Sequence, residues 1–492
     1  MTGRQPIQSV GRADRTLGSQ RLAALLPAPS QARPAYRHLA QAICALILDG
    51  RIALHVKLPA ERELAPVLKT SRATITAAYD LLRESGYAHS RRGSGTWTAL
   101  PQDRRTAAVS QLLAPSDTAI DLATAAPGLP EKAVTDALAQ AASRLPEHAH
   151  SHGYHPYGLS ELRVAIADRY NAKGLATLPD QLLITSGAQQ ALALALGLLG
   201  GPGDRVMVET PTYPNALDAI RRAGLRTAPV PVSDTGWDIE IIESTLHQTV
   251  PRLAYLIPDF QNPTGRLMPD EQRARVLRAT RRSGTCLVID ETITDIALDV
   301  PSPAPFVSLA GRGEADHVVT IGSMSKSHWG GLRIGWLRAS SRLVTEIAGQ
   351  RVAADMASSV LDQLVALSLL AREEELTPAR LQRLREQRAA LTVALARHIP
   401  EWTWQLPAGG LSLWADLGRP IASRLSEQAV DYGVRIESGA RFGAQPGTFE
   451  HRLRIPYTLP SDTLDEAVRR MAAALGAGTP STSRTERPHW VA

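Results

Sequence analysis

Unbroken apolar segments that alternate with helical patterns are the feature that most constrains the fold of this 492-residue chain. They begin at about residue 119, and Ala/Leu-rich or Arg-rich helical stretches separate several of them. The clearest examples lie in QLLITSGA (181–188), DRVMVETPTYP (204–214), RLAYLIPDFQNPTG (252–265), TCLVIDETI (285–293) and HVVTIGSMSK (317–326). Strands that are apolar on both faces and separated by helices are typical of a mainly parallel sheet covered on both sides. We therefore predict an α/β fold for this part of the chain.

Polar residues follow these apolar runs, at the carboxyl ends of the predicted strands. Asp290 ends the run CLVID, and Lys326 follows the run HVVTIGS. Tyr213 and Asn262 come shortly after two other runs. Ligands of open α/β sheets bind beyond the carboxyl ends of the strands, so these side chains are candidates for one site. Lys326 alone would most simply be a solvated lysine in a turn, and its role depends on the groups around it.

A lysine that carries pyridoxal phosphate as a Schiff base needs a phosphate cup, an anion for the pyridinium nitrogen and a surface that stacks on the ring. The N–H groups that open the helix after QLLITS can hold an anion. Hydroxyl and guanidinium groups beside Lys326 can bind the same phosphate. The residues of this predicted cup are Gly187, Ala188, Gln189, Ser323, Ser325 and Arg333.

The chain also offers the other parts of such a site. A protonated pyridine nitrogen would pair with Asp290, whose carboxylate is costly to bury without a cation. Tyr213 can stack on the ring, and Asn262 can donate a hydrogen bond to its phenolic oxygen. Each residue has a structural interpretation too, because Asp at a strand end usually caps a turn and Asn-Pro usually starts one. The complete set in this chain order favours a cofactor site with Lys326 as its nucleophile.

The N-terminal part of the chain has a different pattern. A helix is predicted over 36–50 with Gly50 as its stop, and a second helix is predicted just after Pro59. Ser71 can cap a third helix, RATITAAYDLLRES, before a hairpin in YAHSRRGSGTWT (87–98). The apolar stripe of the third helix consists of Ile75, Ala78, Tyr79 and Leu82. A helix, a helix–turn–helix and a hairpin together predict a winged-helix domain.

The distribution of charge favours DNA as the partner of this domain. Residues 1–98 contain fourteen Lys and Arg against six Asp and Glu, a net charge of +8. Since the whole chain carries +6, the remainder carries −2. Arg72, Thr74 and Thr76 face outward near the start of the third helix, the end that enters the major groove in a recognition helix. A small helical bundle with a charged surface is the alternative, and the hairpin and the charge asymmetry argue against it.

The segments LPAERELA (58–65) and SRATITAAYDLLRESGYAHSRRGSGTWT (71–98) resemble the GntR-type winged-helix domain. The resemblance implies DNA contacts from the second helix, the third helix and the wing. With the outward Thr76 and the hairpin arginine Arg91, the predicted DNA-binding residues are Arg62, Ser71, Arg72, Thr74, Thr76, Arg91 and Gly95. Pro66 departs from the family pattern, because proline inside a helix removes a hydrogen bond. The second helix should therefore be kinked or short, which affects the placement of Arg62.

The motifs TSGAQQAL, PTYP, NPTG, VIDE and SMSKSHWGGLRIGW resemble those of the fold-type I aminotransferases over nearly all of residues 119–475. The resemblance implies that Lys326 is the Schiff-base lysine. It places the arginine that binds the substrate carboxylate at Arg454, with Arg452 as the alternative register. It also implies that Tyr154 reaches the phosphate of a neighbouring subunit. A family tyrosine that tunes the cofactor oxygen is replaced by Ile293, which argues against efficient transamination.

Together the two halves resemble the MocR-type regulators, a family that joins a GntR-like domain to an aminotransferase-like body. The family implies a homodimer that binds a double-stranded DNA operator and senses an amino compound or pyridoxal 5′-phosphate itself. A working aminotransferase with a DNA-binding appendage is the second hypothesis. A DNA-binding protein whose body serves only for dimerisation is the third, and the presence of Lys326, Asp290 and Arg333 argues against it.

The predicted organisation follows from these patterns. A disordered tail over 1–30 precedes the winged-helix domain at 31–98, and a linker at 99–118 leads to the body at 119–476. The body divides into a large lobe at about 119–345 and a small lobe at about 346–476, followed by a flexible tail at 477–492. Two cysteines without metal spacing, no signal-peptide core and no membrane-length apolar run predict a cytoplasmic protein.

Overall fold

The computed structural model describes residues 16–27, 35–91, 95–99, 119–311 and 315–476. The chain separates into two compact units. The first unit contains residues up to 108 together with Gln445–Phe449, and the second contains residues 109–444 and those from 450 onward. Residues 100–118 of the predicted linker, the hairpin turn at 92–94 and the predicted tail at 477–492 lie outside the described residues.

The first unit has the predicted winged-helix elements. Its helices and strands are α1 Ser19–Leu25, α2 Ala35–Leu48, α3 Glu61–Val67, α4 Arg72–Glu84, β1 Ala88–Arg91 and β2 Gly95–Thr98. Strands β1 and β2 pair antiparallel, as predicted for the wing. The core contains the predicted stripe of α4, since Ile75, Ala78, Tyr79 and Leu82 are all buried.

Helix α1 lies inside the segment for which composition predicts a disordered tail. The structure differs there because Leu22 is fully buried in the core of the first unit. Leu17, Leu25 and Leu26 pack against the same core. Four leucines within ten residues bury enough apolar surface to order a short helix, despite the polar residues around them.

Helix α3 is short, and Pro66 lies in its last turn. Because the helix ends at Val67, the missing N–H of Pro66 removes only one bond of the helical ladder, the one that would reach the carbonyl of Arg62. Helix α4 then begins at the predicted cap, where the Ser71 hydroxyl accepts a hydrogen bond of 3.1 Å from the N–H of Thr74. Proline therefore shortens α3 and leaves the turn to the recognition helix intact.

The second unit contains two sheets. The larger has eight strands in the order β4-β11-β10-β9-β8-β5-β6-β7, and its five central strands β10, β9, β8, β5 and β6 run parallel. The smaller has five strands in the order β12-β13-β15-β14-β3. The strands are β3 Ile120–Leu122, β4 Leu182–Thr185, β5 Arg205–Thr210, β6 Arg226–Ser233, β7 Gly236–Trp237, β8 Leu253–Leu256, β9 Cys286–Asp290, β10 Val318–Ser323, β11 Gly335–Arg338, β12 Thr403–Trp404, β13 Ser412–Asp416, β14 Val434–Ser438 and β15 Arg452–Pro456.

Helices cover both faces of the larger sheet, as the apolar strands predict. Leu253 and Tyr255 of β8 point into one apolar core, and Ala254 and Leu256 point into the other. None of the helices in the described ranges is long and apolar enough to cross a membrane. The helices are α5 Glu131–Arg144, α6 Ser160–Ala172, α7 Ala188–Leu199, α8 Pro214–Arg222, α9 Ile239–Thr249, α10 Asp270–Ser283, α11 Met324–Ser327, α12 Ser341–Arg351, α13 Val360–Leu370, α14 Glu373–His398, α15 Ala422–Asp431 and α16 Ser461–Gly476.

Strand β3 belongs to the smaller sheet, although the sequence boundaries assign residues 119–345 to the large lobe. It pairs parallel with β14, with Ile120 opposite Val434 and Leu122 opposite Ile436. Leu122 is fully buried in the core that α14, α15 and α16 also build. The strand therefore ties the beginning of the second unit to its C-terminal elements.

We expect Ser71→Ala to lower the stability of α4, because the N–H of Thr74 loses its acceptor. The loss should be about 0.5–2 kcal/mol, as for other helix caps. Hydrogen–deuterium exchange of residues 72–84 would measure it. Ser340→Ala is the matched control, since Ser340 precedes α12 without a side-chain cap hydrogen bond. Equal protection of α4 in wild type and Ser71→Ala would contradict the prediction.

Candidate functional site

A cavity of about 50 Å³ lies where the sequence places the candidate site. Four predicted residues line it: Lys326, Tyr213, Asn262 and Arg454. The other lining residues are small or apolar, namely Ala125, Phe260, Gly265, Ile293, Gly410, Leu411 and Ser412. The structure thus brings one amine, one phenol, one amide and one guanidinium together, and Ile293 lies among them.

Lys326 reaches the cavity from the short helix α11, which directly follows β10. Its amine donates a hydrogen bond of 2.6 Å to the carbonyl of Ala125. Burial and, after it, the charge of Arg454 lower the pKa of Lys326 to about 8, although Asp290 opposes the shift. An amine with a pKa near neutrality is neutral in a larger fraction of molecules and is therefore a better nucleophile.

The predicted phosphate cup forms at the start of α7. Gly187 caps this helix with φ +80°, and Arg333 lies directly over it, also with a positive φ of 53°. A Cβ on Gly187 would come within 2.8–3.1 Å of the Arg333 guanidinium. The guanidinium donates to the carbonyl of Ser186 over 2.6 Å. Guanidinium and helix N-terminus therefore converge on one space, an arrangement that suits an anion.

Two further contacts shape the cup. The hydroxyls of Ser323 and Ser325 lie 3.0 Å apart, and the N–H of Ser325 donates to the Ser323 hydroxyl. A Cβ on Gly335 would lie 2.6–2.8 Å from the backbone of Gly187 and Ala188, so only glycine fits there. This close approach sets β11 against the first turn of α7 and places Arg333, two residues before Gly335, at the cup.

Tyr255 is a site residue that sequence reasoning missed. It is fully buried in the middle of β8, and its hydroxyl donates a hydrogen bond of 2.7 Å to the Asp290 carboxylate. The N–H of Thr292 donates to the other carboxylate oxygen over 2.9 Å. Burial and the charge of Asp290 raise the pKa of Tyr255, so it remains a donor. An aromatic residue within an apolar strand carries no signal that distinguishes it from ordinary core.

Several buried polar atoms around the cavity have no partner among the described residues. They include Oδ1 of Asn262, Nε of Arg454, Oγ1 of Thr292 and Oε1 of Gln189. The amide nitrogen of Gln189 donates to the carbonyl of Asn215 over 3.2 Å. Buried polar groups are rarely left unsatisfied, so these atoms are places where a polar ligand would complete the site. Together with the cup, they fit a phosphorylated ring that carries polar substituents.

The two candidate arginines of β15 have different surroundings. Arg454 lines the cavity beside Lys326, lies opposite Glu437 on β14, and packs over the Phe442 ring at 5.0 Å. Burial lowers its pKa. Arg452 lies in a second cavity of about 180 Å³, paired with Asp234 at 3.0 Å and Asp416 at 3.5 Å. The register that places Arg454 near the lysine therefore has the geometric support.

Tyr154 lies on the loop between α5 and α6 and is 53% exposed. Its ring lies against that of His152, with the centroids 5.6 Å apart and the planes tilted by 32°. Tyr213, by contrast, is in a buried environment that raises its pKa. Its hydroxyl accepts a hydrogen bond of 2.9 Å from Asn215. The predicted tyrosines thus have different environments, one facing outward and one inside the site.

The predicted DNA-binding residues of the first unit differ in their exposure and in their contacts. Arg72 is 72% exposed at the start of α4 and lies 3.7 Å from the Glu61 carboxylate. The hydroxyl of Thr76, by contrast, donates to the same carboxylate over 2.9 Å. The prediction that Thr76 faces freely outward is therefore corrected, because Glu61 at the start of α3 already binds it. Arg62 is exposed, with its guanidinium 3.9 Å from Glu63.

The other predicted DNA-binding residues lie at the cap of α4 and in the wing. The hydroxyls of Ser71 and Thr74 lie 2.8 Å apart and bond each other. Gly95 has φ +95°, and a Cβ there would meet the side chain of Lys57 at 3.0 Å. Lys57, which forms a β-bridge with Trp97, is a basic residue beside the wing that motif comparison missed. Arg91 pairs with Gly95 through its backbone, and its side chain lies outside the described part of the structure.

Comparison with known proteins confirms the predicted families of both halves of the chain. The family model for class I and II aminotransferases matches residues 117–471, and the model for bacterial regulatory proteins of the gntR family matches residues 35–97. The chain is 28% identical to the HTH-type transcriptional regulator YisV of Bacillus subtilis, over 87% of this chain and 93% of that protein. It is 31% identical to the probable rhizopine catabolism regulatory protein MocR of Rhizobium meliloti, over 75% and 78% respectively.

Solved structures resemble the second unit. One is LysN, an alpha-aminoadipate aminotransferase from Thermus thermophilus, with 29% identity, a TM-score of 0.68 and coverage of 76% of this chain and 96% of that one. Another is a kynurenine aminotransferase of Pyrococcus horikoshii, with 25% identity, a TM-score of 0.69 and coverage of 78% and 98%. Class I and II aminotransferases are a family that depends on pyridoxal phosphate. The chain belongs to this family and, through its fused gntR-type domain, to the MocR-type transcriptional regulators.

Proposed function

We propose that this regulator binds pyridoxal 5′-phosphate through Lys326 and uses the site to sense an amino compound or the cofactor itself. One observation carries the proposal: Lys326, Arg454, Tyr213 and Asn262 line one cavity in a chain that also has a winged-helix domain. The cofactor supplies an aldehyde that can exchange the lysine amine for the amine of a ligand, and an electron-withdrawing ring. The protein supplies binding and orientation.

The residues around the cavity divide this work. The first turn of α7, Arg333 and the serines beside Lys326 would hold the phosphate. Asp290, oriented by Tyr255, would hold the ring nitrogen in its protonated form. Tyr213 would cover one ring face, and Asn262 would donate to the phenolic oxygen. Each of these roles fits the burial and hydrogen bonding of its residue.

Arg454 is the group that would recognise an effector. Its guanidinium lines the cavity with Lys326, and its Nε has no partner among the described residues. A guanidinium binds a carboxylate with two parallel hydrogen bonds, which makes an α-amino acid or a related amino acid the ligand of choice. The lysine would meet the amine of such a ligand while Arg454 binds its carboxylate.

Sensing is favoured over transamination as the role of the site. Ile293 lines the cavity at the position where aminotransferases have a tyrosine that tunes the cofactor oxygen, and an alkyl side chain cannot donate a hydrogen bond there. A working aminotransferase that carries a DNA-binding domain is the alternative. It predicts rapid conversion of an amino acid to a keto acid, which the regulator does not need.

The remaining features complete the proposal. We place the protein in the cytoplasm as a homodimer whose two winged-helix domains, at 31–98, bind two half-sites of a DNA operator. The second unit would span 119–476, with Tyr154 reaching the phosphate of the neighbouring chain, in accord with its exposure. Cys44 and Cys286 are not joined in a disulfide, in accord with a reducing compartment.

Purified protein that has been loaded with pyridoxal phosphate and treated with borohydride should carry a reduced cofactor on the peptide containing Lys326. Lys326→Ala should abolish this adduct, because no amine remains at the cup. Peptide mass spectrometry measures it, and Lys173→Ala, which removes a lysine that forms an ion pair with Asp295, is the control. An adduct that persists in Lys326→Ala would assign the cofactor to a different lysine.

Arg72→Ala should weaken operator binding. A bidentate contact to a guanine would make the loss about 1–3 kcal/mol and relax specificity at one base pair. A phosphate contact would instead weaken binding to all sequences and reduce its salt dependence. Arg37→Ala, which removes an exposed arginine from α2, is the control for net charge. Equal binding by Arg72→Ala and wild type across a salt titration would contradict this assignment of the DNA-facing surface.

An amino acid effector should shift operator affinity several-fold without being consumed, since coupling between sites is typically about 1–3 kcal/mol. Arg454→Ala should abolish the response to carboxylate-bearing compounds and retain the adduct on Lys326. Operator titrations with a panel of amino compounds, with product analysis of the same samples, test both points. Arg452→Ala is the matched control, because Arg452 lies in the other cavity. Multiple turnovers with unchanged operator affinity would establish the aminotransferase alternative instead.

A further inference from the structure

Gln261 connects two loops that carry predicted site residues. It is fully buried, immediately before Asn262. Its amide nitrogen donates to the carbonyl of Pro211 over 2.8 Å, on the loop that leads to Tyr213. Its amide oxygen accepts from the N–H of Thr264 over 3.1 Å and from the Thr264 hydroxyl over 2.7 Å. One side chain therefore holds the loop after β5 against the loop after β8.

Backbone partners fix the orientation of this amide. The carbonyl of Pro211 can only accept a hydrogen bond, so the nitrogen of the amide has to face it. The N–H of Thr264 can only donate, so the oxygen has to face Thr264. A flipped amide would lose both bonds and bury two unsatisfied groups. Gln261 is accordingly a rigid connector with one orientation.

Glu209 anchors the same amide from the larger sheet. It lies near the end of β5, is fully buried, and accepts a second hydrogen bond from the Gln261 nitrogen over 3.1 Å. Its other donors are the indole N–H of Trp237 at 2.8 Å and the backbone N–H of Ile257 at 3.1 Å. Burial raises the pKa of Glu209 to about 8, and its three donors oppose the shift. The charged form of such a group is costly to bury, and the three donors hold its oxygens in one place.

We propose that Gln261 is a positioning residue that fixes Tyr213 and Asn262 at their separation across the cofactor ring, with Glu209 as its anchor. The inference rests on the proposed binding of pyridoxal phosphate. Both residues reach the cavity from the two loops that the Gln261 amide joins. Among the described residues that line the cavity, Asn262 is the amide donor, and Ile293 offers no hydrogen bond to the phenolic oxygen. The hydrogen bond from Asn262 to the phenolic oxygen therefore depends more on the position of Asn262 in this chain than in aminotransferases, where a tyrosine donates to the same oxygen.

Gln261→Leu tests the inference, because it retains the approximate volume and removes every side-chain hydrogen bond. The dissociation constant of pyridoxal phosphate should rise about ten-fold or more. The midpoint pH of the visible absorbance of the bound cofactor should rise by about one unit, because a displaced Asn262 no longer favours the deprotonated phenolic oxygen. Both are measured on the full-length protein, by fluorescence titration and by a spectrophotometric pH titration.

Two other variants separate positioning from general stability. Thr264→Val removes one bond to the Gln261 oxygen and should shift both quantities in the same direction by a smaller amount, which decides the matter if Gln261→Leu does not fold. Gln363→Leu removes another fully buried amide with two backbone partners, and it should lower the melting temperature without moving the midpoint pH.

The outcomes distinguish the two proposals. Wild-type protein that fails to take up pyridoxal phosphate would overturn the proposed function and this inference with it. Wild-type uptake on Lys326, with an unchanged dissociation constant and midpoint pH in Gln261→Leu, would overturn the positioning role alone. A midpoint shift of equal size in Gln363→Leu would also overturn it, because the effect would then be one of stability.

Discussion

Two cations share one small cavity whose described lining residues include no acidic side chain, and holding them there is the constraint on which the site depends. The amine of Lys326 donates to the carbonyl of Ala125, and the guanidinium of Arg454 donates to the carbonyl of Ala123. Burial disfavours the charged form of each cation, and the charges of Asp290 on Lys326 and of Glu437 on Arg454 oppose this effect. The backbone after β3 thus supplies the acceptors that two buried donors need. The pairing of β3 with β14 brings Ala123–Ala125 to the cavity.

Much of the fold was predictable because the relevant signals are local. Apolar runs predicted the parallel strands, and a serine before an amphipathic stripe predicted α4 and its cap. The differences arise where distant segments meet. Nothing within Ile120–Leu122 indicates that it pairs with a strand near the C-terminus, because pairing depends on partners that local sequence does not specify. Composition likewise assigned α1 to a disordered tail, since the polar residues around Leu22 outweigh the buried leucines in any average.

The candidate site likewise has residues that the sequence predicted and residues that it did not. Residues in short motifs at strand ends, such as Lys326, Asn262 and Asp290, were predictable because strand ends are where ligands bind. The choice between Arg452 and Arg454 was not predictable from the sequence. The two residues lie two positions apart on the same strand, and they differ only in the side chains around them, which the fold determines. Supporting residues were invisible for a related reason. Tyr255 and Glu209 lie within strands whose pattern predicts core, and only the fold shows which polar group each one meets.

Competition for Arg454 gives the proposed regulator a physical basis for its response. A ligand whose carboxylate binds Arg454 would displace the guanidinium from the carbonyl of Ala123. The carbonyl of Ala123 would then need another donor, so the segment after β3 would have different preferred positions with and without the ligand. This segment directly follows β3, and the predicted linker at 99–118 lies on the other side of β3 in the chain. A ligand shifts an equilibrium only through its differential affinity for two states, and competition with a chain segment provides such a difference. A ligand that binds only the phosphate cup would leave the contact of Arg454 to Ala123 in place, and it would have no such influence on the segment.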